Sequence, residues 1–201
     1  PYPSVKRTRP KGTDPMDTTA SRGLATKDIV YIALFAALTA ALGLMPPIHF
    51  AGAALPPISA QSLGVMLAGA VLGSKRGGLA LLLFIGLVAV GLPLLSGGRG
   101  GFGVLMGTSG GFLLVWPLCA YIIGYLMEKD TAANAIKTGL YVAFGGIVVM
   151  YAAGIPWMAF IGKLGLTKSL TIMVAYIPGD LVKVVLATII ARGLRRAYPN
   201  L

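Results

Sequence analysis

The chain has 201 residues, of which 56% are hydrophobic and 11% are charged, whereas roughly a quarter of the residues are charged in an ordinary soluble domain. A soluble protein this apolar could not cover its surface with polar groups, but a membrane protein can place apolar side chains against lipid. The net charge of +11 does not indicate nucleic-acid binding, because the Lys and Arg residues lie between apolar runs and do not cluster on one face. The sequence therefore predicts an all-α integral membrane protein.

The N-terminal residues are set apart from the rest by composition. Residues 1–15 are polar, Pro-rich and basic, without the periodicity of a helix or strand. We expect them to be a non-native or disordered extension before Met16, followed by a cytoplasmic tail at 16–27. The membrane domain is predicted over 28–196, with a C-terminal tail at 197–201.

Six apolar runs follow, and the length of each is close to the roughly 20 residues that a helix needs to cross a bilayer. The first run has a basic flank, as a signal peptide has, but it is rather long for one and further spans follow, so we expect it to be retained. The apolar piece 155–161 is too short to span and is predicted to lie at the membrane interface, where Trp157 would fit. Six spans are favoured, and a count of five or seven stays open. The runs cover about 29–45, 57–73, 78–95, 104–127, 137–154 and 171–192.

The charges between the runs predict the orientation of the chain. With the N-terminus inside, thirteen of the seventeen Lys and Arg residues fall on the inner side, and Arg99, Lys163 and Lys168 fall on the outer side. Without residues 1–15 the ratio is still nine to three. The positive-inside rule therefore places both termini in the cytoplasm, with an even number of spans.

One acidic residue lies well inside a predicted span. Asp180 is followed three residues later by Lys183, on the same face of a helix. A charge near the middle of a bilayer costs at least about 2.5–3.5 kcal/mol, so such residues face a cavity or each other. Pro178 and Gly179 loosen the helix just before the aspartate, which is tolerated where backbone lines a cavity. We interpret the pair as a binding site for a polar ligand, open to the outside; the alternative is a structural ion pair.

Two further segments could contact such a ligand. The backbone of the glycine-rich segment 96–103 could approach a ligand closely or simply form a flexible outer turn, and Arg99 is its one cation, suited to a carboxylate. Gln61, near the outer end of the second span, could hydrogen-bond a ligand amide or a neighbouring helix, and both interpretations stay open. The chain lacks a Gly-Lys-Ser/Thr motif, so we do not expect it to hydrolyse ATP by itself.

Ala33, Ala37 and Ala41 form a stripe of small residues, spaced four apart on the first helix. Such a stripe lets another helix approach closely, either within this chain or on a partner subunit. The chain has one histidine, His49, and one cysteine, Cys119. These residues provide no metal cluster and no nucleophile–base set, so we expect no metal site, no cofactor and no enzymatic activity.

Together these motifs resemble the BioY family, the biotin-specific S components of energy-coupling factor (ECF) transporters. The resemblance covers nearly all of about 26–196 and is most specific at 57–63, at 96–103 continuing to 107–112, and at 177–183. Two residues depart from the family pattern: Thr108 stands where proline is common, and Ser59 where threonine is common.

The resemblance implies a six-helix S component in a bacterial inner membrane, which binds biotin from outside. Its partners would be a transmembrane coupling protein and a pair of ATPases, although some relatives are thought to act without a dedicated module. The stripe at Ala33, Ala37 and Ala41 would be the docking surface. The outer loops 46–56 and 96–103 would close over the ligand.

The resemblance also implies roles for individual residues. Asp180 would accept hydrogen bonds from the ureido N–H groups of biotin, and Lys183 would donate to its carbonyl or keep Asp180 ionised. Arg99 would meet the carboxylate, although the two cations could exchange roles. Apolar walls would come from Tyr176, Phe102 and Leu105, and close backbone contacts from Gly98 and Gly101.

Three other functions remain open from the sequence. The chain could capture a different vitamin, or it could be an autonomous porter that uses Asp180 to couple uptake to protons. A membrane enzyme ranks last, because the sequence provides no catalytic set. The oligomeric state is not given by the sequence, and a homo-oligomer stays open.

Overall fold

The computed structural model describes residues 24–46 and 59–198, and these residues form nine α-helices and one π-helical turn. The predicted all-α class is confirmed for this part of the chain. The predicted extension at 1–15 and most of the predicted loop 46–56 lie outside the described residues. The helices are α1 (Thr26–Gly43), α2 (Gln61–Leu72), α3 (Ser74–Ala89), α4 (Phe102–Met106), α5 (Gly110–Lys129), α6 (Ala135–Ala143), α7 (Met150–Ile161), α8 (Leu166–Val174) and α9 (Ile177–Ala197).

Several of these helices are suited to a bilayer. In the described residues, α1, α5 and the continuous helical segment Ala135–Ile161 are each long and apolar enough to cross one. The consecutive helices α8 and α9 meet the same criteria together, with a bend of 54° between them. α2 and α3 are shorter, at 12 and 16 residues. The part of the chain that the structure describes therefore contains three candidate spans, or four if the bent pair crosses as one.

The short helix α2 lies at the centre of the bundle. Eleven of its twelve residues are buried, because α1, α3, α5 and α9 pack around it. Glycines make this close packing feasible: a Cβ on Gly64 would lie 2.6 Å from Thr39 Oγ1, and one on Gly69 would lie 2.5 Å from the Ala120 carbonyl oxygen. A helix enclosed in this way shows no polar face in its sequence, which explains why its apolar run reads as continuous.

At one end of the bundle, the turn that connects α2 to α3 is held in place by Glu128 of α5. Its carboxylate accepts hydrogen bonds from the backbone N–H and from the hydroxyl of Ser74, each over 2.7 Å. The turn residue Gly73 has a φ of +84°, a conformation that favours glycine. These hydrogen bonds fix the adjoining ends of α2, α3 and α5 against one another.

The prediction that 155–161 is a separate interfacial piece is wrong. These residues belong to α7, which continues α6 through a π-helical turn, Phe144–Val149, to give one helical segment of 27 residues. Trp157 donates its indole N–H to the Gly107 carbonyl oxygen over 2.9 Å. Hydropathy ended the span at 154 because it does not show that the helix continues through Pro156.

Two other predicted runs are broken in the structure. The run 104–127 is divided between α4 and α5, and the run 171–192 is divided at Ala175 and Tyr176, between α8 and α9. The first break brings Gly110 so close to Leu105 that a Cβ would lie 1.8 Å from its carbonyl oxygen. Both breaks place backbone at the same end of the bundle, where the candidate site lies.

Candidate functional site

One end of the bundle contains a cavity of about 90 Å³. It lies between the first turns of α2, α5 and α9. The rest of its lining comes from the turn at 95–99, the middle of the α6–α7 segment and the end of α8. Part of its lining is polar, with Gln61, Ser62, Arg99, Tyr151, Asp180 and Lys183. Another part is largely apolar, with Phe112, Leu113, Trp116, Met150, Met173 and Tyr176.

Asp180 and Lys183 form an ion pair in this cavity. Lys183 Nζ lies 3.0 Å from Asp180 Oδ1, and the side chains are 13% and 12% exposed, which confirms that both residues share one helical face. Asp180 lies in the first turn of α9, where the helix dipole favours a carboxylate. Pro178 is accommodated in the same turn because the N–H groups there have no partner within the helix.

Two more residues extend the ion pair into a network. The Tyr151 hydroxyl donates to Asp180 Oδ2, and Lys183 Nζ donates to Ser62 Oγ over 2.8 Å. The network therefore runs from α7 through α9 to α2. A carboxylate has about four acceptor positions and an ammonium group has three donors. Both charged groups accordingly retain capacity for hydrogen bonds to a ligand.

Arg99 is brought to the cavity by a tight turn. Leu95 and Arg99 exchange two backbone hydrogen bonds, of 2.9 and 3.2 Å, and Gly97 and Gly98 between them have φ values of +79° and +68°. The Arg99 Nε–H donates to the Ser96 carbonyl oxygen over 3.1 Å. Partial burial lowers the pKa of Arg99. Its terminal NH₂ groups, which have no hydrogen-bond partner among the described residues, are therefore suited to an anion.

Gln61 lines the cavity, but its hydrogen bonds go to the protein. Its amide nitrogen donates to the carbonyl oxygens of Thr39, over 3.2 Å, and Leu94, over 2.9 Å. Its amide oxygen accepts from the backbone N–H and the hydroxyl of Ser96, over 2.9 and 3.1 Å. All four hydrogen-bonding positions of the amide are used. Gln61 therefore fastens the Arg99 turn to α1 and α2.

Four predicted ligand residues do not line the cavity. Phe102, predicted as a wall, begins α4, is 62% exposed and lies outside the lining of this cavity. Gly98 and Gly101 have φ values of +68° and +90°, so the backbone conformation accounts for glycine at both positions. Leu105 is buried in the hydrophobic core, outside the cavity lining.

Sequence reasoning missed most of the cavity wall. Trp116 stacks on Phe84 with ring centroids 5.8 Å apart, and Phe112 meets the Tyr151 ring edge-on at 6.3 Å. Apolar residues within apolar runs carry no signal that separates a cavity wall from ordinary packing. Tyr151 could have been found from the sequence, because it places a hydroxyl group within a predicted span.

The stripe at Ala33, Ala37 and Ala41 is exposed along its length. The opposite face of α1, with Ile32, Phe35, Ala36, Thr39 and Gly43, is buried against the bundle. No described helix covers the stripe, so packing within this part of the chain does not account for it. The surface is free to meet another molecule.

The sequence matches the model of the BioY family over residues 14–200. The chain belongs to the BioY family. One BioY relative is a biotin transporter of Rhizobium etli, 45% identical over 184 residues, which are 89% of this chain and 98% of that protein. Another is a probable biotin transporter of Bacillus subtilis, 41% identical over 85% of this chain and 91% of that protein.

A solved structure has the same fold as this BioY chain. The crystal structure of the S-component for biotin from an ECF-type ABC transporter superposes with a TM-score of 0.81, at 34% identity over 85% of this chain and 91% of that one. Membership in a family of membrane transporters, together with the apolar helices, makes this chain a multi-pass membrane protein.

Proposed function

We propose that this chain is the biotin-capturing S component of an uptake system and that the cavity around Asp180 is its binding site. The names of its relatives and of the solved structure support biotin as the substrate. The observation that carries the site is the ion pair of Asp180 and Lys183, which lies beside a largely apolar wall in one cavity. A small-molecule site needs this combination of a few placed polar groups and an apolar lining.

The chemistry of the cavity suits the two ends of biotin. The ureido N–H groups can donate to the free acceptor positions of Asp180, and the third N–H of Lys183 can donate to the ureido carbonyl. The ring system would lie against Trp116 and Phe112. Arg99 would hold the carboxylate, through a fork that matches two oxygens at once.

The cavity must widen to admit this ligand. Its volume of about 90 Å³ is below the roughly 300–1,000 Å³ of ordinary small-molecule sites. The helix α8 contributes Met173 to the wall and packs mainly on α7, so it can move at lower cost than the central α2. We infer that α8 moves outward to admit biotin and then closes over it.

We infer six spans with both termini in the cytoplasm of a bacterial cell, in its inner membrane. The six would be α1, α2, α3, α5, the α6–α7 segment and the bent pair α8–α9. The short α2 can count as a span because protein surrounds it, so it does not need to match the thickness of the lipid by itself. The excess of Lys and Arg on the predicted inner side supports this orientation.

Transport would depend on partner subunits. The exposed stripe at Ala33, Ala37 and Ala41 would dock on a transmembrane coupling protein, because small residues let two helices approach closely. ATPase subunits would supply the energy, since this chain lacks a phosphate-binding motif of its own. The ABC-transporter context of the solved relative supports this assignment.

Equilibrium binding of labelled biotin to the purified chain tests the proposal, with unlabelled thiamine and riboflavin as competitors. Asp180→Asn should weaken binding by more than about tenfold, because a charge-assisted hydrogen bond is lost. Asp130→Asn is the matched control, since it removes a paired carboxylate outside the cavity. Unchanged binding by Asp180→Asn would reject the site, and stronger displacement by another vitamin would reject biotin as the substrate.

A further inference from the structure

The far end of α9 carries three arginines around a second cavity. Arg192, Arg195 and Arg196 line a space of about 160 Å³. They follow Asp180 by 12 to 16 residues on the same helix, which corresponds to about 18–24 Å along its axis. This basic cavity is therefore separate from the biotin site, and it opens at the end of the bundle where α2 meets α3.

Two of the arginines are held in place by backbone carbonyl groups. Arg192 Nη1 donates to the Ala133 carbonyl oxygen, and Arg195 Nε donates to the Ala70 carbonyl oxygen, each over 2.8 Å. Both side chains are partly buried, so their positions are constrained. A guanidinium has five N–H donors, and one bond each leaves most of them available at the cavity.

The acidic groups nearby are already paired with other residues. Glu128 accepts its two hydrogen bonds from Ser74. Asp130 lines the same cavity, but it accepts hydrogen bonds from Lys137 and Tyr141, each over 2.9 Å, and these lower its pKa. Within 24–46 and 59–198, none of the three arginines has a carboxylate within ion-pair distance. Glu128 acts electrostatically on Arg195 without forming a direct ion pair, and the three arginines outnumber it, so the cluster keeps a net positive charge.

The basic cavity adjoins a larger one with an apolar wall. The second space has a volume of about 400 Å³ and shares Met127, Thr131 and Arg195 with the first. Val71 and Leu72 give it an apolar wall, and Glu128 and Tyr198 also line it. A bound anion could therefore carry an apolar portion. An inorganic ion would use the basic part alone.

We propose that Arg192, Arg195 and Arg196 bind a phosphate group at this end of the bundle. Guanidinium groups match the geometry of phosphate oxygens, and the Thr131 hydroxyl adds a donor. Basic pockets between transmembrane helices on the cytoplasmic side suit anionic lipid headgroups. The phosphate belongs either to such a headgroup or to a free phosphate anion, and the adjoining apolar wall favours the headgroup.

The test measures binding of two probes to the full chain purified in a non-ionic detergent. One probe is a fluorescent phosphatidylglycerol, with phosphatidylcholine as the zwitterionic comparison, and the other is radiolabelled inorganic phosphate. One variant is Arg195→Gln, which also loses a hydrogen bond to the Ala70 carbonyl oxygen. The other is Arg196→Gln, which should fold normally because the Arg196 side chain makes no hydrogen bond within the described residues. Lys75→Gln is the matched control, because it removes an exposed cation from the start of α3, at the same end of the bundle.

The parent chain should bind phosphatidylglycerol more tightly than phosphatidylcholine, and each Arg→Gln variant should weaken this binding by about tenfold, the loss of a charge-assisted hydrogen bond. Lys75→Gln should bind within twofold of the parent. The same pattern with inorganic phosphate alone would support the site and assign it to a free anion. Equal binding by Arg196→Gln, Lys75→Gln and the parent for both probes would overturn the proposal, whatever the result for biotin.

Discussion

Lys183 of α9 and Ser62 of α2 are 121 residues apart in the sequence, and the ammonium group donates to the serine hydroxyl over 2.8 Å. Ser62 belongs to the central helix, so this bond fastens the cation of the site to the most enclosed element of the fold. Asp180 continues the network to Tyr151 of α7. A ligand that takes over one of these bonds therefore changes how three helices are held together.

Tyr151 should orient Asp180 for the ligand. Tyr151→Phe removes the hydroxyl that donates to Oδ2 but keeps the ring that meets Phe112 edge-on. We expect the dissociation constant for biotin to rise by about tenfold, because a hydrogen bond to a charged group is worth about 1.5–3 kcal/mol. Isothermal titration with purified protein measures the change.

Tyr141→Phe is the control for this prediction, because it removes a hydroxyl that donates to Asp130 instead. Its dissociation constant should stay within twofold of the parent. If both variants bind biotin like the parent, Asp180 does not depend on Tyr151 for its role.

Arg99 should recognise the carboxylate of the ligand. Arg99→Gln should lower the affinity for biotin by about tenfold and leave the affinity for biotin methyl ester nearly unchanged, since the ester offers no anion to the guanidinium. Competition binding with the two ligands on both proteins measures this coupling. An equal loss for acid and ester would assign Arg99 to the structure of its turn. The control is Lys168→Gln, which removes an exposed cation that does not line the cavity.

The most informative residues in the sequence were those whose presence in lipid is costly. Asp180 and Lys183 could be found because an ionisable residue in an apolar run needs a partner or a cavity. Arg99 was located on a different ground, as the single cation of a glycine-rich turn. The sequence also indicated the stripe on α1, because small residues recur there at the helical spacing.

The sequence could not predict how the apolar runs are divided into helices. Hydropathy has no contrast within a run, so it showed neither the break before Gly110 nor the continuation through Pro156. Only Pro178 and Gly179 indicated a break near Tyr176. The walls of the site were hidden for the same reason, since Trp116 and Met173 resemble ordinary core residues. Gln61 was ambiguous, because an amide suits a ligand and a neighbouring loop equally well until the four partners are seen.

The bonding of Gln61 predicts a large effect on stability. Gln61→Met keeps the volume but leaves the Leu94 carbonyl group and the Ser96 N–H without their partner. We expect the free energy of unfolding to fall by about 2–4 kcal/mol, because each buried unpaired group costs about 1–3 kcal/mol. Cys119 is buried, so its reaction with a thiol-specific dye during heating reports the unfolding.

The control for Gln61 is Thr171→Val, which removes one exposed hydrogen bond within a helix. Its melting temperature should stay within about a degree of the parent. If Gln61→Met melts like the parent but loses affinity for biotin, Gln61 serves the ligand and not the fold.

The stripe on α1 should act in transport and not in capture. Ala37→Leu adds a branched side chain at an exposed position in the middle of the stripe, where it would hold a partner helix away. We expect ATP-dependent biotin uptake with the coupling module to fall by about fivefold or more, while the dissociation constant of the purified chain stays within twofold. Ala153→Leu, at an exposed position of α7, makes the same change away from the stripe and should leave uptake intact. If both variants take up biotin like the parent, the partner contacts another face of the bundle. If Ala37→Leu binds biotin more weakly than the parent, α1 shapes the site itself.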